Sequence, residues 1–142
     1  MMKKIAQVQF FAEYNQLELV RQLVERHATE LGIAPEKIYD LTWSITEIVT
    51  NIIKHGYKEA AGIIEIILWQ REKDFIMQIL DEAPVFDPDT VPEPNLTLPL
   101  DRRPLGGLGL SMTRKMLDSI SHRSRKNGGN EITLVKRNVI AN

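Results

Sequence analysis

Residues 35–56 read PEKIYDLTWSITEIVTNIIKHG. Pro35 suits a first helical position, and Glu36 puts an acid in the first turn, where the helix dipole favours it. Gly56 is a C-terminal signal. Between them Ile38, Leu41, Trp43, Ile45, Ile48, Val49, Ile52 and Ile53 recur at helical spacing. The stretch predicts a helix of about 22 residues, roughly 33 Å long at 1.5 Å per residue. Asp40, Ser44, Glu47, Asn51 and His55 follow one another at spacings of 4, 3, 4 and 4. They therefore share one face. A solvated face of an amphipathic helix would also carry polar residues. Such faces favour Lys, Glu, Arg and Gln, however, and Asn is a poor helix former. An acid, an amide and an imidazole in line suit a metal-nucleotide site. Glu47 can accept a proton or orient water. Asn51 offers a neutral oxygen to Mg²⁺.

Working outward, Lys4–Phe10 alternates loosely and predicts a weak strand. Leu17, Leu19, Val20, Leu23, Val24, His27, Ala28 and Leu31 then mark a helix that Gly32 should stop. Downstream, Ile63–Gln70 and Phe75–Asp81 read as two strands turned by the polar Arg71–Asp74. Six of the seven prolines lie from Pro84 to Pro104, which excludes helix and central strand there. A loop of about twenty residues inside a compact domain is usually functional or disordered. Gly106, Gly107 and Gly109 close it, and a third helix is expected from about Gly107 to Ile120. Two last strands, Ile120–Lys126 and Glu131–Arg137, are turned by Asn127-Gly128-Gly129. Helices precede hairpins and no βαβ alternation occurs. The expected class is α+β, a two-layer sandwich with helices on one face of a mixed, mostly antiparallel sheet.

The chain has 142 residues and a mass of 16.3 kDa, which suits one domain over 1–142. Hydrophobic residues are 43% and charged residues 26%, a globular composition. Lys+Arg is 18 against 19 Asp+Glu, so no whole-chain attraction to nucleic acid or anionic lipid is expected. With no cysteine, disulfides, Cys-ligated metal and thiol catalysis are excluded. The opening MMKKIAQVQF lacks the apolar run of a signal peptide, and the expected location is the cytoplasm.

Two further clusters carry chemistry. Asp81-Glu82-Ala83-Pro84-Val85-Phe86-Asp87-Pro88 ends an apolar strand on an acid. It is either a plain strand-ending turn or a carboxylate placed to accept hydrogen bonds from a ligand amine. Leu105-Gly106-Gly107-Leu108-Gly109-Leu110-Ser111 sets glycines at a helix start, where bare N–H groups can meet a phosphate. Glycines also end loops cheaply. The run is neither a P-loop nor a dinucleotide fingerprint. Arg114, Lys115, Arg123, Arg125 and Lys126 against Asp118 give a local balance of +4, which suits phosphates as well as solvation.

In order, Glu47-x-x-x-Asn51-x-x-x-His55, Asp81-x-Ala83-x-x-Phe86-Asp87-Pro88 and Gly106-Gly107-Leu108-Gly109-Leu110 resemble the ATP-binding (Bergerat-type) fold of gyrase, Hsp90, histidine kinases and MutL. Within it the chain most resembles the small bacterial anti-sigma-factor serine kinases, whose ending is similar to Gly128-Gly129-Asn130-Glu131-Ile132-Thr133-Leu134-Val135-Lys136. The resemblance implies ATP and Mg²⁺, with Asn51 as the metal ligand and Glu47 as the general base for an acceptor serine. It implies Lys54 and His55 near the nucleotide and Asp81 on the adenine amino group. It also implies Gly106, Gly107, Leu108, Gly109 and Leu110 around the phosphates, with Phe86 and Thr133 lining the pocket. The segment at about 84–105 would be the ATP lid. The family usually has glycine where this chain has Ala83, whose methyl group would lie against the adenine. The implied partners are an anti-sigma-factor antagonist, phosphorylated on serine, and a sigma factor. A homodimer is implied too. Ala83 and the small size leave room for a second reading, a nucleotide-gated binding module with little transfer.

Overall fold

The structure, a computed structural model, describes residues 1–84, 107–126 and 128–141, with the backbone alone for 107–111. The elements in chain order are β1 (Met2–Phe11), α1 (Leu17–Glu30), α2 (Pro35–Asn51) and β2 (Ile63–Arg71). β3 (Asp74–Asp81), α3 (Gly107–Met116), β4 (Ser119–Ser124) and β5 (Asn130–Lys136) follow. The strands form one sheet in the order β1-β2-β3-β5-β4. Every described pairing is antiparallel. The expected α+β sandwich is thus what the chain forms.

Period-two alternation sorts the sheet into two faces. Ile64, Ile66 and Leu68 of β2, Phe75, Met77 and Ile79 of β3, and Ile132 and Leu134 of β5 are buried in one core with Val20 and Val24 of α1 and Leu41, Ile45, Ile48 and Val49 of α2. The opposite face is mixed: Trp69, Ile76 and Val135, the last two buried, share it with a row of polar side chains. Gln7 donates to Glu65, Trp69 Nε1 to Gln78, and Gln78 to Glu131, each at 2.9 Å. These side chains come from β1, β2, β3 and β5, so the outer face is tied across four strands.

α1 stops where expected, with Gly32 in the left-handed region at φ 72°. α2 differs from a uniform helix. After Asn51 the last turn, Ile52–Gly56, is π-helical. The Tyr57 N–H reaches the Ile52 carbonyl at 2.8 Å, five residues back. α3 ends at Met116, short of the expected Ile120. The Asp118 N–H donates instead to Val135 O of β5, and Ile120 pairs with Leu134. Sheet pairing captures residues that the helical pattern would otherwise have extended. Lys136 Nζ meets the Met116 carbonyl at the helix end and Asp40 of α2 at 3.4 Å.

Candidate functional site

The polar stripe of α2 is not a solvated face. Asp40 pairs with Lys136, Ser44 is fully buried, Glu47 is half-buried, and Asn51 is buried at 4% exposure. Only His55, in the π-turn, is exposed. Burial of an amide is tolerated when its hydrogen bonds are met. Asn51 Nδ2 has no partner among the described residues, and neither has Ser44 Oγ. A donor left bare in the interior is what a bound anion's oxygen would satisfy, while the amide oxygen suits a hard cation.

Glu47 lies one helical turn before Asn51, about 6 Å along the axis at 1.5 Å per residue. Burial raises its carboxyl above the usual carboxylate range, and the Lys54 ammonium partly offsets this. A half-buried carboxylate made more basic in this way is a better proton acceptor than an exposed one.

Asp81 ends β3 with no solvent exposure. Its Oδ1 accepts from the Ala83 N–H and from Asn130 Nδ2, both at 2.9 Å. Its Oδ2 has no partner among the described residues. Burial pushes its carboxyl up, against the opposing pull of the Asn130 and Ala83 donors and the nearby Arg125 and His122. One oxygen is therefore saturated and the other is a bare, buried acceptor. That is the arrangement a ligand amine fits.

The elements around Asp81 hold it rigidly. Arg125 Nη1 donates to the Asp81 carbonyl at 2.9 Å. Gly129 has φ +91°, and a Cβ there would sit 2.2 Å from that carbonyl oxygen, so only glycine allows the approach. From the other side the Tyr57 hydroxyl donates to Ile63 O at 2.6 Å and accepts from the Glu82 N–H at 2.8 Å. Tyr57 thereby links the π-turn after Asn51 to the strand end that carries Asp81. Ala83 is 1% exposed and is not among the residues with positive φ. Its backbone therefore does not call for glycine.

The residues fit a magnesium nucleotide. No group of three or more His, Cys, Asp or Glu able to hold a metal occurs among the described residues. Asn51 would then be the protein's ligand to a cation held mainly by phosphates and water, which is how Mg²⁺ is usually bound. Of the expected residues, Glu47, Asn51, Lys54 and His55 share one helix end, and Asp81 and Ala83 share one strand end. Thr133 is set apart. It stands opposite Gln78 on β5, three residues from Asn130, so its side chain is on the outer face, away from Asp81. Asn130 occupies the place by Asp81 instead. The sequence carries no signal for the role of Tyr57, and for Asn130 it offers a polar residue opening a buried strand after Gly-Gly. Gly107, Leu108, Gly109 and Leu110 open α3. Phe86, Gly106 and the lid at 84–105 fall, apart from Pro84, outside the described residues. A groove of about 530 Å³ between α1 and α2, lined by Arg21, Tyr39 and Trp43 among others, contains none of the expected site residues.

The sequence pattern of the histidine kinase-like ATPase domain matches residues 10–136. The chain belongs to that family. Among curated relatives, an anti-sigma F factor of Clostridium acetobutylicum is 26% identical over 138 residues, 96% of this chain and 96% of its own. Serine-protein kinase RsbW of Bacillus thuringiensis is 29% identical over 113 residues, 77% of this chain and 69% of its own. A crystal structure of the RsbU and RsbW domains of a Mycobacterium tuberculosis protein superposes with a TM-score of 0.61 at 18% identity. That match covers 94% of this chain and 32% of the other, so this chain spans about a third of it. At that identity the likeness establishes the fold. The family's ATP-binding fold, seen from the sequence as three ordered motifs, is thus present here as a helix end and a strand end.

Proposed function

We propose that this chain is an ATP-dependent serine protein kinase and anti-sigma factor of the partner-switching type, one ATP-binding domain over 1–142 with its lid at 84–105. The observation that carries the reading is the pair of bare buried polar atoms, Asn51 Nδ2 and Asp81 Oδ2, in a chain of the histidine kinase-like ATPase family. Asp81 would accept from the adenine amine, and Asn51 would hold Mg²⁺ against the phosphates. Lys54 and His55 lie in the turn after Asn51, where the Lys54 ammonium suits phosphate. Relatives named anti-sigma F factor and serine-protein kinase support the substrate class.

The bound nucleotide supplies the phosphoryl group, and the metal supplies charge neutralisation. Glu47 does the protein's own chemistry. It takes the proton of the acceptor serine as the serine oxygen bonds to phosphorus and ADP leaves. Most of the remaining contribution is positioning. The substrate would be a small antagonist protein and the second partner a sigma factor. The working unit would be a homodimer in the cytoplasm. The alternative, a nucleotide-gated binding module with little transfer, is separated from this reading by the transfer assay.

The test uses labelled MgATP, the purified chain and candidate antagonists with an acceptor serine. Label should pass to the serine with wild type and not with Glu47→Gln, while both proteins bind ATP. Bound ATP with no transfer to any candidate would leave a nucleotide-gated binder.

A further inference from the structure

Asn130 sits at the junction of three strands. It pairs in register with Asp81 of β3 and with Ser124 of β4, and its side chain has no solvent exposure. Its Nδ2 lies 2.9 Å from Asp81 Oδ1, 3.4 Å from Ala83 O and 3.3 Å from Pro84 O. All three are acceptors, so the amino end of the amide must face them; the flipped amide would set an oxygen against three oxygens. The carbonyl end then faces His122 Nε2 at 2.8 Å. An amide oxygen only accepts, so this nitrogen of His122 carries the hydrogen. The three acceptors thus set which way Asn130 points, His122 holds it there by donating to its carbonyl, and Asn130 fixes which oxygen of Asp81 is used up.

We propose that Asn130, locked by His122, is a positioning residue for base selection: it saturates Asp81 Oδ1, leaves Oδ2 as a bare acceptor, and so selects a purine bearing an exocyclic amine over one bearing a carbonyl there. This rests on the nucleotide-binding reading above and adds the device that sets its specificity. The polarity of Oδ2 is the deciding quantity. An ionised Asp81 accepts at Oδ2. A protonated one carries its hydrogen there and donates to a carbonyl. Burial favours the neutral form, and the two donors on Oδ1 oppose it by favouring the ionised, accepting form. A hydroxyl at 130 can donate or accept, so it would leave the polarity of the carboxylate unset. An amide turned by the wrong neighbour would withdraw the Nδ2 donor from Oδ1 and set an oxygen against it, which disfavours the ionised, strongly accepting carboxylate.

The test compares binding of MgATP and MgITP, whose base has a carbonyl where adenine has its amine, to the full chain. Wild type should prefer ATP by tenfold or more, as expected for a site whose buried polar group goes unpaired with the wrong ligand, where roughly 1.4 kcal/mol corresponds to tenfold. His122→Gln keeps a donor for the Asn130 carbonyl and should keep the preference. His122→Glu offers an acceptor and should bring the ATP:ITP ratio down about tenfold, toward unity. Asn130→Ser should do the same, and if that buried change prevents folding, the His122 pair still decides. A purely structural role would weaken both nucleotides together and leave the ratio unchanged. Wild type that binds ATP, with the same ratio in every variant, overturns this inference and spares the nucleotide reading. His122→Gln losing the preference as fully as His122→Glu also overturns it. Wild type that binds neither nucleotide overturns both.

Discussion

Replacing Asp81 with asparagine separates what the carboxylate does for the fold from what it does for a ligand. In Asp81→Asn the new amide oxygen takes the place of Oδ1, where it can still accept from the Ala83 N–H and Asn130 Nδ2 at the present 2.9 Å separations. The new amide nitrogen takes the place of Oδ2, which has no partner among the described residues. No internal hydrogen bond among the described residues is lost. A buried charge is removed. The folded carboxyl titrates above its unfolded value because of burial. Its ionised form therefore weighs against the fold at neutral pH, and that load grows as pH rises through the folded value. The variant should accordingly be as stable as wild type, or more so, in urea without nucleotide. Its ligand response should be the opposite. An adenine amine would meet a donor where it needs an acceptor. Losing a hydrogen bond to a charged group is worth about 1.5–3 kcal/mol, or roughly 10–150-fold in affinity. At a MgATP concentration one hundred times the wild-type Kd, binding adds about 2.7 kcal/mol to wild-type stability. A hundredfold weaker variant gains only about 0.4 kcal/mol from the same solution. Urea unfolding with and without MgATP reads both effects. A variant stabilised by MgATP as strongly as wild type would refute the role given to Asp81. A nucleotide-free variant destabilised by more than about 1 kcal/mol would show that the carboxylate is bonded in ways these distances do not express.

Three other outcomes follow from the same geometry. The Lys54 ammonium lowers the Glu47 carboxyl against the rise caused by burial, so in Lys54→Met the acid limb of the transfer-rate profile should move to higher pH; an unmoved limb would count against Glu47 as the base. Gly129→Ala puts a methyl group 2.2 Å from the Asp81 carbonyl at φ +91°; it should destabilise by about 2 kcal/mol or more in urea and weaken MgATP binding as well. Tyr57→Phe removes two hydrogen bonds that tie β2 and the Asp81 strand end to the π-turn; a loss of about 1–3 kcal/mol in urea is expected, and hydrogen exchange at Glu82 should speed up.

Period and punctuation made the layers legible. Pro35, the 3.6-residue recurrence from Ile38 to Ile53, and the alternation in Ile63–Gln70 and Phe75–Asp81 each arise within one element, and each element formed. Glu47, Asn51 and Asp81 were legible by type, because an amide in mid-helix and an acid ending an apolar strand are locally unfavourable choices. What was hidden depends on register between strands. Thr133 and Asn130 are equally polar in a list of residues. An odd separation puts them on opposite faces, and the pairing of Asp81 with Asn130 decides which one meets the carboxylate. The π-turn was hidden for a similar reason, since the 52–57 hydrogen bond accompanies a Tyr57 side chain anchored on β2 and on the residue after β3. The end of α3 was set by β5 taking the Asp118 N–H.

The central claim, that the end of α2 and the end of β3 together hold a magnesium nucleotide, is tested most directly by calorimetric titration of MgATP into wild type and into Asn51→Ala. Binding to wild type should be saturable and should be lost in the variant, with the variant's far-ultraviolet circular dichroism unchanged. Equal binding to the two proteins would remove Asn51 from the metal site, and no binding to wild type would contradict the nucleotide site altogether.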